Sequence, residues 1–198
     1  MMTKNAIVHP GWLRATHWIN AVAVFVMVTS GLKIYNATAF LNFTFPREVT
    51  LGGWLGGALQ WHFAAMWLLI INGMIYLIFN SVTNRLTTQF FPLSFKSFFT
   101  DINAALKGRL THAEPWKYNT VQRIAYLLVM LDSILLVLSG LVLWKSVQFP
   151  LLRALLGGYE GARLVHFAAM SAIVLFVIVH LVMVLLVPKT LFAMIRGR

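Results

Sequence analysis

Read for polarity alone, the chain is a series of long uncharged apolar stretches joined by polar connections. Residues 15–32 carry no formal charge and stay apolar toward Tyr35, and residues 58–80 lie in an uncharged stretch bounded by Glu48 and Arg85. Residues 124–144 are interrupted only by Asp132, and residues 164–188 are uncharged up to Lys189. At about 1.5 Å of rise per residue, roughly 20 apolar residues cross a bilayer's hydrocarbon core. The pattern predicts four transmembrane helices over about 15–35, 58–80, 122–145 and 162–187. The expected fold class is all-α, an integral-membrane four-helix bundle forming a single domain over residues 1–198. A secretory signal is the rival reading of the first span, because Ala37-Thr38-Ala39 has the form of a small-residue cleavage site. The run exceeds the roughly 7–15 residues of a signal's apolar core, which favours a retained helix.

The longest connection, residues 81–120, places Phe95, Phe98, Phe99, Ile102, Ala105 and Leu106 at helical spacing, with Lys96, Asp101 and Lys107 elsewhere on the turn. It predicts an amphipathic helix, lying on the cytoplasmic membrane surface or packed on the end of the bundle. With the N-terminus in the cytoplasm, eleven of the sixteen basic residues fall inside, and Lys33, Arg47, Lys145, Arg153 and Arg163 remain outside. The excess of cytoplasmic Lys and Arg selects an N-in, C-in topology. Trp12, Trp18, Trp54, Trp61, Trp116 and Trp144 lie near span ends, as an interfacial aromatic belt requires.

Composition narrows the chemistry. A chain that is 60% hydrophobic, with fifteen Phe, seven Trp and five Tyr, is neither disordered nor an ordinary soluble domain. The absence of cysteine removes disulfides, thiolate nucleophiles, cysteine-held iron–sulfur clusters and thioether-attached haem. The net charge of +11 follows from topology, so the expected environment is a lipid bilayer and no nucleic-acid partner is expected.

Four of the six histidines, His17, His62, His166 and His180, lie in or at the spans, whereas His9 and His112 read as surface residues. A single membrane histidine is as readily a hydrogen-bonded structural group as a ligand; the arrangement of the four favours ligation. His166 and His180 are 14 residues apart, about 21 Å of rise with a residual rotation of about 40°, so they share one side of helix 4 at different depths. In the N-in topology, depth pairs His17 with His180 near the cytoplasmic face and His62 with His166 near the outer face. Each pair joins two helices and could clamp an iron from opposite sides. Noncovalent haem suits two neutral imidazoles, whereas a tetrahedral zinc site wants three or four ligands at one depth. The inner pair requires helix 1 to sit low, or helix 4 to run past Pro188, because His17 is only three residues from Arg14.

Internal repetition supports the two levels. His62-Phe63-Ala64-Ala65-Met66 recurs as His166-Phe167-Ala168-Ala169-Met170, and Ser30-Gly31-Leu32 recurs as Ser139-Gly140-Leu141. Arg14 to Gly31 spans the same 17 positions as Arg123 to Gly140, with Tyr126 in the place of His17. This is the signature of two related helical hairpins. Gly31 and Gly140 would let a macrocycle approach the backbone, or let helices pack closely. Asp132 reads either as a proton relay or as a protonated, hydrogen-bonded carboxyl. The glycine-rich run from Gly52 to Gly57 has no preceding strand and reads as an outer loop on which a partner could dock, not as a phosphate loop.

Taken together, Arg14-Ala15-Thr16-His17-Trp18, Trp61-His62-Phe63, the segment Lys117-Tyr118-Asn119-Thr120-Val121-Gln122-Arg123, and His166 with His180 resemble the bacterial di-haem cytochrome b561-type membrane subunits. Within that group the chain is most similar to the thiosulfate reductase cytochrome b-like proteins, and more distantly to formate dehydrogenase gamma and nickel–iron hydrogenase cytochrome subunits. The resemblance implies two noncovalent b haems held by His17 with His180 and by His62 with His166. It also implies a place in the bacterial inner membrane, a periplasmic molybdopterin oxidoreductase or other periplasmic electron-transfer protein as partner, and quinone as exchangeable substrate. Asn119 and Gln122 match a quinone-pocket segment of such relatives, although Val121 stands where they often have Gly, and Asn119 is equally suited to cap helix 3. The function expected is transmembrane electron transfer between that partner and the quinone pool. Rival readings are a self-sufficient quinone-linked oxidase of a small outer reductant such as superoxide, and a haem-free membrane anchor.

Overall fold

The computed structural model describes residues 9–90, 94, 97, 99–101, 103 and 120–197. Among these the chain is helical: α1 Gly11–Ala37, α2 Leu55–Val82, α3 Arg85–Phe90, α4 Thr120–Trp144, α5 Pro150–Leu155, α6 Gly158–Leu186 and α7 Pro188–Arg196, with a short 3₁₀ turn at Arg47–Val49. Helices α1, α2, α4 and α6 are long and apolar enough to cross a membrane. Their 25 to 29 residues correspond to about 38–44 Å, more than a hydrocarbon core requires. Large apolar side chains such as Phe25, Leu128, Leu131, Leu175 and Leu185 are exposed along them, an exterior that suits lipid and not water. Most of the segment expected to be amphipathic lies outside the described residues; Ser97, Phe99, Thr100, Asp101 and Asn103, which belong to it, are helical.

The helices form two compact units, Met1–Asn84 with Lys189–Arg198, and Arg85–Pro188. Each is built on one antiparallel hairpin, α1 with α2 in the first and α4 with α6 in the second. Many of the residues buried in the hairpins are small. Ala58 and Ala65 on α2 have counterparts 104 positions later in Ala162 and Ala169 on α6, and all four are buried. Ser30 on α1 and Ser139 on α4 are also both buried completely. Small side chains let two helix backbones approach, which supplies packing where lipid removes the hydrophobic incentive to associate. The repeat in the sequence is thus a repeat in packing.

It extends to the turns that lead into α2 and α6. Gly53 and Gly157, again 104 positions apart, have φ of 69° and 76°, in the left-handed region that glycine enters without a side-chain penalty. A Cβ on Gly57 would run into the carbonyl oxygen of Gly52, and one on Gly161 into that of Leu156. The Gly52–Gly57 run is therefore accounted for by close backbone contact. Gly161→Ala is expected to cost about 1–3 kcal/mol, because the obstructing atom is backbone and cannot swing aside. Thermal unfolding in detergent measures it; an unchanged midpoint would show that the turn yields freely.

Polar contacts fix each hairpin. In the first, Asn72 Nδ2 donates to the Thr16 carbonyl at 2.8 Å and to Asn20 Oδ1 at 2.6 Å, joining α2 to the turn of α1 that carries His17. Arg14 Nη1 donates to the Ile195 carbonyl at 2.7 Å, where a cation complements the negative end of α7. The connection after α1 is held by Tyr35, whose hydroxyl donates to the Phe43 carbonyl at 3.0 Å, and by Asn36, which bonds the backbone of Phe45 in both directions. In the second unit the Thr120 N–H donates to Asp101 Oδ2 at 2.8 Å, so a carboxylate satisfies the start of α4.

Candidate functional site

The four span histidines are distributed evenly, two in each unit. His17 lies on α1 and His62 on α2; His166 and His180 both lie on α6. In the first unit, α1 ends beside the start of α2, so Ser30 and Gly31 face His62. Ser30 Oγ is 3.1 Å from His62 Nδ1. The same hydroxyl donates to the Val26 carbonyl at 2.6 Å, the usual back-bond of a helical serine. A hydroxyl has one proton, and the shorter contact uses it, so Ser30 Oγ accepts and the imidazole Nδ1–H donates. The ring is then the Nδ1–H tautomer, and its Nε2 carries the lone pair that a metal would take.

The second unit repeats this arrangement. Ser139 Oγ is 3.0 Å from His166 Nδ1 and donates to the Leu135 carbonyl at 2.7 Å. By the same reasoning Ser139 Oγ accepts and the His166 Nδ1–H donates. Both units therefore orient a half-buried imidazole in one tautomer through a serine on the opposite helix of the hairpin.

The glycines after these serines face the same rings. A Cβ at Gly31 would lie 3.5 Å from His62 Cε1, and one at Gly140 would lie 3.4 Å from His166 Cε1. Each imidazole lies against bare helix backbone, with its Cε1–Nδ1 edge toward the glycine. At Gly31 and Gly140, where a macrocycle or a packed helix is expected to approach, the group lying against the backbone is the imidazole ring.

His17 and His180 are each half-buried and supported by an aromatic neighbour. Trp18 meets the His17 ring edge-on at 5.4 Å, and Phe176 stacks on His180 at 6.0 Å. Helix α1 begins at Gly11, earlier than the span expected from about residue 15, which places His17 six residues inside its start. His180 lies six residues before the end of α6 at Leu186.

Within each unit the two histidines stand at different depths. His62 stands beside Ser30, and Ser30 is 13 residues along α1 from His17, about 20 Å of rise. His166 and His180 are 14 residues apart on α6, about 21 Å. Each unit separately carries two imidazoles with the same spacing along its helices.

The remaining candidates lie elsewhere. Gln122 lies half-buried in the first turn of α4, while Asn119 lies outside the described residues. Asp132 sits midway along α4, and its Oδ2 is shielded with no hydrogen-bond partner among the described residues. Aligned through the repeat, it occupies the place of the buried Ala23. Two features escape a reading of the sequence. The serines were visible as part of a repeated tripeptide, but their hydroxyl contacts are between helices. Tyr76 lies 104 positions before His180, as Tyr126 lies 109 after His17, so each unit has one histidine and one tyrosine at its second level. Among the described residues no three His, Cys, Asp or Glu side chains gather as a bare metal ion would need.

Residues 8–197 match the description of the prokaryotic cytochrome b561 family. The chain belongs to that family. As a cytochrome b it is a membrane electron-transfer subunit of a haem b-binding kind. It is 63% identical over 190 residues, 96% of each chain, to a protein of Azospira oryzae named as the protein-methionine-sulfoxide reductase subunit YedZ1. It is also 25% identical over 193 residues to a protein of Cupriavidus necator named as a Ni/Fe-hydrogenase B-type cytochrome subunit, covering 89% of this chain and 78% of that one. No solved structure matches the chain. For this cytochrome the donor set suits the family's cofactor: an imidazole whose Nδ1–H is held by an acceptor keeps Nε2 free for a haem iron.

Proposed function

We propose that this cytochrome carries electrons across the bacterial inner membrane through two noncovalent b haems, from the quinone pool to an oxidoreductase on the outer face. The observation that carries the proposal is the equal spacing of the histidines: about 20 Å between His17 and the His62 cradle in one unit, and about 21 Å between His166 and His180 in the other. Two units with matched spacing can pair level with level. His62 with His166 would hold the outer iron, and His17 with His180 the inner one, in the N-in, C-in orientation that the basic residues favour.

Bound haem would supply one-electron chemistry at iron, and two imidazole ligands would leave no open coordination position. The residues of the chain do the rest. Ser30 and Ser139 hold the outer ligands in one tautomer, Asn72 fixes the turn of α1 beneath His17, and the apolar helices exclude water. Gln122, with Asn119, is assigned to quinone contact at the inner level. Oxidation of a quinol releases two electrons and two protons. The name of the Azospira oryzae relative points to methionine sulfoxide as the final acceptor, which takes two electrons and two protons to give methionine and water. A molybdopterin oxidoreductase would make that last transfer.

The test is purification of the whole cytochrome in mild detergent with whatever accompanies it. Addition of a quinol under anaerobic conditions is expected to develop a b-type alpha band, and methionine sulfoxide is expected to bleach it only when the partner is present. A haem that quinol leaves oxidised, or that methionine sulfoxide bleaches without a partner, would contradict the proposal.

A further inference from the structure

The serine contacts do more than fill space. Ser30 and Ser139 lie on different hairpins, yet each is completely buried and donates to the carbonyl four residues earlier. Each also accepts from the Nδ1 of a histidine on the facing helix, at 3.1 and 3.0 Å. A hydroxyl that is already donating is polarised into a better acceptor. An imidazole whose Nδ1–H is held by an acceptor is a more basic ligand through Nε2, and a more basic ligand favours the more highly charged ferric ion.

We propose that Ser30 and Ser139 are positioning residues that together lower the midpoint potential of a single iron, the one held by His62 and His166. The inference rests on the ligand pairing proposed above. Its consequence is directional: an outer iron with a depressed potential passes its electron onward to an acceptor more readily. The two-sided arrangement also gives the proposal a distinctive signature, because two residues 109 positions apart in sequence must act on the same spectral component.

The experiment is a spectroelectrochemical titration of the full-length, haem-loaded cytochrome as wild type, Ser30→Ala, Ser139→Ala and the double variant, with haem content measured in each. Each alanine variant is expected to keep its haem and to raise the potential of the same component. A tenfold change in the reduction equilibrium per serine is about 59 mV for a one-electron couple. The double variant should move that component about twice as far and leave the other unmoved. Ser30→Thr keeps a hydroxyl that back-bonds in helices, and is expected to return the potential to the wild-type value.

Retained haem with both potentials unmoved would overturn the proposal and leave the pairing intact. Loss of haem from Ser30→Ala would also overturn it, assigning the hydroxyl to holding the ligand instead. Two alanine variants that move different components would overturn both the proposal and the pairing. A wild-type protein without a b-type spectrum would remove the reading on which it stands.

Discussion

Replacing His62 or His166 with alanine is expected to remove the same haem, halving the haem content per chain and leaving the second haem with an unchanged spectrum. The expectation follows from the repeat. His62 and His166 open corresponding helices, five residues after Gly57 and Gly161, and each is held by the serine of its own hairpin. His62 and His166 occupy equivalent places in the two halves of the internal repeat, which is the ground for proposing them as ligands of one iron. Alanine in place of either leaves a cavity lined by Ser30 and Gly31, or by Ser139 and Gly140, and removes one of two strong iron bonds. The hairpins should survive, because Ala58 with Ala65 and Ala162 with Ala169 provide close contacts that do not involve the ring. Haem extraction and low-temperature difference spectra measure the outcome. If His62→Ala and His166→Ala emptied different sites, the level-with-level pairing would be wrong.

His17→Ala and His180→Ala should have the complementary effect, with the larger functional consequence. Each is expected to empty the inner site, to leave the outer haem bound and reducible by dithionite, and to reduce quinol-driven reduction of that haem to background. The reason is distance. His17 lies about 20 Å along α1 from the His62 cradle, a gap that the inner iron must bridge. Stopped-flow mixing with quinol under anaerobic conditions reads the result directly. Wild-type reduction rates in either variant would mean that quinol delivers electrons at the outer level, and the assignment of Gln122 and Asn119 to the quinone would fall with it.

The sequence reading and the structure agree where the signal is local and differ in detail where it is not. Four spans follow from runs of uncharged residues, and the helices found, Gly11–Ala37, Leu55–Val82, Thr120–Trp144 and Gly158–Leu186, enclose the expected spans to within a residue at the end of each run. They run on beyond the expected starts because Gly11 and Gly158 lie in polar flanks that helices still occupy, and hydropathy is blind to such turns. The internal repeat was legible from five-residue words. That it also governs Gly53 with Gly157 and Ala58 with Ala162 was not, because backbone clashes and small-residue contacts leave no chemical mark on a single residue.

The candidate site was legible to the same degree. Histidines stand out because an ionisable group in an apolar span is expensive. Their supports do not: Ser30 and Asn72 are ordinary residues until folding sets them against a ring or a carbonyl on another helix. The start of α4 illustrates the point. Asn119 has the chemistry of a helix cap, and the Thr120 N–H is met by Asp101, a residue 19 positions away whose role no local pattern announces.

The most direct test of the account is the haem stoichiometry of the purified wild-type cytochrome together with the spin state of its iron. The account predicts two noncovalent b haems per chain, both low-spin with two imidazole ligands, and unreactive toward carbon monoxide. A single haem per chain, or a high-spin iron with an open position, would contradict it.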